Sequence, residues 1–195
     1  LQRYQSKILL STMYSFNILS AVALQTLITS ALAGQAIIQN HCGYEVVMIR
    51  DFEKEQHTIA AGSTHSEAML DAGHSLKIAH NADGLWAHGI TQFEYTLMPD
   101  TLWYDISLID CTNGQDASGC PGHDGGITIS ASGGDCAVGS CGPGEYCPEQ
   151  AYFKHDDDKA TKSCKPGQNK GDVTMTLCDK KGARVKRSIA GRLEY

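Results

Sequence analysis

No surplus of positive charge, no second long apolar run, no Cys-x-x-Cys and no His-x-x-x-His spacing occur in these 195 residues, and each absence closes off a class of function. The net charge is −6. Removing residues 1–33 takes away Arg3 and Lys7 and no acid, leaving −8. A chain so charged lacks the basic stripe that phosphate backbones require, which argues against nucleic acid as a partner. Zinc sites need closely spaced thiolate or imidazole ligands, and no such spacing is present, so no metal or other cofactor is expected. Internal repeats are missing, and helical periodicity is weak throughout.

What is present begins with an apolar stretch at residues 13–33, ending Ala31-Leu32-Ala33, which has the length and small-residue ending of a cleaved secretory signal. Its core is interrupted by Ser20, Gln25, Thr26, Thr29 and Ser30, too short and too polar for a stable membrane span. Residues 1–12 are read as a leader ahead of it, 34–179 as one domain, and 180–195 as a basic tail. Lys186-Arg187 in that tail is either a dibasic processing point or part of a solvated terminus. All eight cysteines, Cys42, Cys111, Cys120, Cys136, Cys141, Cys147, Cys164 and Cys178, fall after residue 33. An even number in an oxidising compartment implies four disulfides in a secreted, monomeric protein without a membrane span.

Short β-type segments follow one another at 36–39, 45–50, 57–60, 75–80, 92–98, 103–109, 127–131 and 173–178, separated by Gly, Asn, Asp and Pro. Tyr104, Ile106 and Leu108 alternate with Asp105 and Ser107, as a half-buried strand requires, and residues 173–177 repeat the alternation. The fold class expected is all-β, a disulfide-stabilised antiparallel sandwich. Two glycine-rich loops, 111–126 and 133–148, cannot bury a core alone and depend on their cysteines. Sequence spacing by itself does not choose among the 105 connectivities open to eight cysteines.

At Trp103-Tyr104-Asp105-Ile106-Ser107-Leu108-Ile109-Asp110 the chain resembles the thaumatin-like proteins, and more closely their small fungal secreted branch of antigenic or yeast-phase-specific proteins. Ile37-Ile38-Gln39-Asn40-His41-Cys42 followed by Tyr44-Glu45-Val46-Val47 resembles the opening strand, Asn-x-Cys and next strand of that family. Gln92-Phe93-Glu94-Tyr95-Thr96-Leu97 resembles the segment that carries its glutamate. The spacing in 134–141, then Cys147-Pro148-Glu149-Gln150-Ala151-Tyr152, Asp156-Asp157 and Cys164, carries the likeness to the end of the domain. The resemblance implies the pairs Cys42–Cys178, Cys136–Cys164 and Cys141–Cys147, which leaves Cys111 with Cys120. It also implies the loss of the disulfide-rich second domain, since only residues 142–146 separate Cys141 from Cys147.

By the same resemblance the family's acidic constellation falls on Glu94, Asp105, Asp110 and one of Asp156 or Asp157. Glycoside chemistry needs a proton donor and a second carboxylate, and Glu94 and Asp105 are the pair that would supply it, with loss of a cleft wall expected to leave both open to water and to suppress the pKa shift an acid catalyst needs. Where the family has an arginine, His80 or His88 stands instead. Turn chemistry competes with ligand binding for Asp105 and Asp110, and residues 155–159 read as a solvated acidic turn rather than a calcium loop. His57, His65, His74 and His123 read as surface or turn residues. Trp86, Trp103, Tyr95 and Tyr104 are candidates for a sugar-stacking platform, half of them expected in the core. The function implied is binding of β-glucan or another cell-wall polysaccharide by a non-enzymatic secreted protein, with an antigenic or interaction protein lacking a small ligand, or a weak β-1,3-glucan hydrolase, as alternatives.

Overall fold

The computed structural model describes residues 34–179; the expectations for 1–33 and 180–195 lie outside the described residues. Alternation decides the architecture. In β7 (Leu102–Ser107), Leu102, Tyr104 and Ile106 are sealed from solvent while Trp103 and Asp105 face outward. The neighbouring strand β6 (Thr91–Leu97) buries Phe93, Tyr95 and Leu97 on the same side. Such period-two burial is what a sheet with one covered face requires.

Eleven strands arise in this way among the described residues. The remainder are β1 (Gln35–Asn40), β2 (Val46–Arg50), β3 (His57–Ile59), β4 (Thr64–Ala68), β5 (Ala72–Ala79), β8 (Ile127–Ala131), β9 (Gly139–Cys141), β10 (Lys162–Ser163) and β11 (Val173–Leu177). They form a five-stranded sheet ordered β4-β1-β11-β8-β9 and a six-stranded sheet ordered β10-β7-β6-β5-β2-β3. Ile38, Ile129 and Met175 from the first sheet and Met48, Leu76, Phe93 and Tyr104 from the second belong to one buried cluster, the core of a sandwich. A smaller cluster of Val47, Ile49, Ala79 and Leu85 lies on the outer side of β2 and β5, where a 3-10 turn at Asp83–Trp86 brings in Leu85.

Two expectations need correction. The sandwich is not wholly antiparallel: β1 and β11 pair in parallel, Ala36 opposite Val173 through Asn40 opposite Leu177. These strands are joined by nearly the whole domain, long enough for a parallel crossover. The Cys42–Cys178 disulfide lies just beyond the C-terminal ends of both, which parallel strands allow. Secondly, β4, β9 and β10 were absent from the sequence reading, and β5 starts at Ala72 rather than at Ser75. The three missing strands all lie at sheet edges, where a strand has little apolar face to announce it.

The disulfides are Cys42–Cys178, Cys111–Cys120, Cys136–Cys164 and Cys141–Cys147, the same pairs that the family resemblance implies. Cys111–Cys120 helps to place Ala117 and Cys120 in the main core, so this loop contributes to burial once cross-linked. Gly122 makes the close approach possible. Its φ is 85°, and a Cβ there would come within 2.8 Å of Leu177. No helix among the described residues is long and apolar enough to cross a membrane.

Candidate functional site

The connection from β6 to β7 is short, closed by Met98 N–H donating to Thr101 O at 3.0 Å, and it fixes the register of the two strands. Phe93 stands opposite Ile106 and Tyr95 opposite Tyr104 on the core side. The intervening pair, Glu94 opposite Asp105, is therefore carried onto the outer face. Ser75 of β5 lies on the other side of Glu94. Two adjoining shallow depressions, of about 380 and 340 Å³, share Glu94, Tyr95, Thr96 and Asp105. Trp103 and Thr161 line the first, and Asp51 and His74 line the second.

The sequence reading expected both carboxyl groups to be open to water, and the structure overturns this for Asp105. Its Oδ1 is sealed from solvent and has no hydrogen-bond partner. Burial, followed by the negative charge of Glu94 and a hydrogen bond with it, pushes Asp105 up to about 8, with Lys162 opposing. Burial also raises Glu94, against the hydrogen bond from Asp105 and the charge of Lys77. Flanking strands supply the low-dielectric wall in place of a second domain, which is why a shortened chain still shifts the pair.

The surrounding charges are ordered. Burial pushes Asp51 up, but the His74 contact at 2.7 Å and the Ser75 N–H at 2.9 Å outweigh it and hold the carboxyl below its ordinary range. Lys162 is buried, which lowers its pKa, and its Nζ donates to the carbonyls of Glu149 and Lys159 at 2.8 and 2.7 Å. Lys77 lies 4.3 Å from the centroid of the Phe52 ring.

The remaining acids separate from the pair. Gln92 Nε2 donates to Asp110 at 3.2 Å; Asp110 sits in the turn after β7 and acts on Glu94 only by charge. Asp157 accepts the Phe153 and Lys154 N–H groups at 2.9 and 3.0 Å, and Asp156 is exposed. Neither Asp156 nor Asp157 lines the two depressions. Of the four aromatics, Tyr95 and Tyr104 are in the core, while Trp103 and Trp86 are 47% and 58% exposed. Trp103 alone of the exposed pair lines a depression with the acids.

His80 and His88 are exposed and line neither depression; the cations acting on the acid pair are Lys77 and Lys162, which the sequence reading missed. Lys77 could have been found, since it shares a strand face with Ser75. Lys162 gave no signal, lying in a two-residue strand. The histidines also need revision. His123 is buried, with Nε2 donating to Glu145 O at 2.9 Å, and His57, His65 and His74 are partly buried on strands. His123 approaches Cys141 and Cys147, but those two form a disulfide and offer no thiolate to a metal.

This arrangement can bind hydroxyl groups. Glu94 and Asp105 stand directly opposite each other on neighbouring strands, and both line the two depressions.

Comparison with known proteins agrees with the fold. An antigenic thaumatin-like protein of Arthroderma benhamiae is 34% identical over 172 residues, covering 83% of this chain and 81% of the relative. The secreted thaumatin-like protein calA of Emericella nidulans is 31% identical over 124 residues, 62% of this chain and 66% of the relative. Among solved structures, the protein elicitor MoHrip2 of Magnaporthe oryzae superposes with a TM-score of 0.57 at 25% identity, covering 75% of this chain and 99% of that one. The family described as Blastomyces yeast-phase-specific protein matches residues 23–179. With its two sheets, four disulfides and fungal thaumatin-like relatives, the chain belongs to that family.

Proposed function

We propose that the chain is a secreted, non-enzymatic binder of cell-wall or extracellular glycan, and that the sugar lies on the outer face of the six-stranded sheet. One observation carries the reading: Glu94, Asp105 and the exposed Trp103 line the same open depression. A pyranose has an apolar face that stacks on an indole and equatorial hydroxyls that carboxyl groups can engage. An open surface also suits one segment of a long polymer better than it suits a small molecule, which is usually enclosed. Secretion is supported by the name of the Emericella nidulans relative.

The test is co-sedimentation of the oxidised protein with insoluble β-1,3-glucan and, separately, chitin. Saturable retention by one polymer is expected, falling about tenfold in Trp103→Ala and in Glu94→Gln, which corresponds to about 1.4 kcal/mol of lost contact. Thermal melts of the variants establish that they are folded. No retention on either polymer would overturn the reading in favour of an interaction or antigenic role, and release of reducing ends would overturn its non-enzymatic part.

A further inference from the structure

We propose that Glu94 and Asp105 act as a single proton-sharing dyad in which Asp105 holds the proton, so that a ligand meets one hydroxyl donor beside one carboxylate rather than two negative charges. The register sets the two residues directly opposite on β6 and β7, where side chains are within about 5.5 Å at Cβ. Asp105 Oδ1 is sealed from solvent and meets no protein donor. An ionised Asp105 would leave charge on an oxygen with nothing to stabilise it, a costly state in a partly buried site; protonation removes that cost and gives Glu94 a donor. The raised pKa values of both residues agree.

Charged groups on the neighbouring elements act in both directions. Lys77 on β5 and Lys162 on β10 favour ionisation, by attraction to Glu94 and Asp105 respectively. Asp110, after β7, opposes it by repelling Glu94. Asp51 and His74, at the far side of the second depression, engage each other. Each lysine also has other contacts: Lys162 is directed to two backbone carbonyls and Lys77 to the Phe52 ring. Burial and mutual repulsion therefore prevail in the pair. The consequence for recognition, which rests on the glycan reading, is that a sugar hydroxyl meets a donor and an acceptor side by side, an arrangement lost when alkali removes the shared proton.

Two measurements separate this inference from the glycan reading. In the first, the side-chain carboxyl carbons of the oxidised, unliganded protein are followed by NMR as pH is raised. Asp105 is expected to titrate on the alkaline side of neutrality, and Glu94→Gln to move it down toward the ordinary carboxylate range. An Asp105 that titrates with the exposed aspartates near pH 4 overturns the dyad, whatever the protein binds. In the second, retention on the polymer bound at pH 6 is measured again at pH 9.5. Wild type is expected to lose about tenfold, and Asp105→Asn, which keeps a donor without a titrating proton, to lose little. Equal losses in both proteins overturn the dyad's role in recognition. Absence of retention at every pH removes the glycan reading, while the NMR titration still decides the dyad.

Discussion

Asn40 shows what one side chain does in this sandwich. It is wholly buried, and its Nδ2 donates to the carbonyls of Tyr44, Ile59 and Ala60 at 2.8, 3.0 and 3.2 Å while its Oδ1 accepts Cys42 N–H at 3.1 Å. Because Asn40 ends β1 in one sheet and Ile59 ends β3 in the other, the amide ties the sheets together beside the first cysteine. Asn40→Ala strands several buried backbone groups and should cost about 2–4 kcal/mol in urea unfolding, with Asn40→Asp no better because a carboxylate cannot donate. The Asn-x-Cys pattern was visible in the sequence, but its reason was not, since the carbonyls it serves lie up to 20 residues away. Asp105 makes the complementary case. Its folded pKa is raised, so the stability it contributes is complete below about pH 4 and is lost as pH rises toward about 8. Asp105→Asn should therefore unfold at higher urea than wild type at pH 9, by about 1–3 kcal/mol, and lose that advantage at pH 4. Equal midpoints at both values would mean that Asp105 is not held protonated by the fold.

At the scale of elements, the long inner strands were legible and three of the four edge strands, β4, β9 and β10, were not. β7 and β11 announce themselves by alternation, because every second residue enters the core. β4 reads Thr-His-Ser-Glu-Ala and buries none of these residues fully, so hydrophobic pattern could not mark it. Its work is done by polar contacts that cross to the other sheet. Glu67 of β4 accepts from Arg50 Nε of β2 at 2.6 Å and meets His65 Nε2 at 3.0 Å, while the rings of His65 and His57 of β3 lie 4.8 Å apart. Burial pushes Glu67 up, but hydrogen bonding by Arg50 and His65 prevails and holds it below its ordinary value. A lowered carboxyl stabilises above its unfolded pKa, near 4.3, and that contribution is lost as pH falls through the folded value. Glu67→Gln should thus cost about 1–3 kcal/mol at pH 7, where the Arg50 partner is partly buried, and much less at pH 3. Paired urea titrations at the two pH values check this, and a cost independent of pH would assign the contact to shape rather than charge. The same blindness to edges explains the missed Lys162, whose short strand β10 is defined by pairing with β7.

The described domain, residues 34–179, is closed by its first and last strands. β1 and β11 lie side by side in parallel, and Cys42–Cys178 joins residues 136 positions apart just beyond them. Composition could give the number of cysteines, and the family likeness their pairing, but the parallel contact depends on where a long chain returns, which no local pattern encodes. The consequence for stability is an ordered set of disulfides. In the chain-entropy account, a cross-link that spans nearly the whole domain restricts the unfolded state by about 5 kcal/mol, whereas Cys141–Cys147, only six residues apart, restricts it by about 2 kcal/mol. Replacing both members of each pair with alanine, and comparing urea unfolding at one pH, should reproduce that order. The larger loss from Cys42→Ala/Cys178→Ala should come with a steeper denaturant slope, because an uncrosslinked chain exposes more surface when it unfolds. Equal losses from the two double variants would place the stabilisation in native packing around the sulfurs, since Cys141 and Cys178 are both buried in the same core, and not in the closing of the chain.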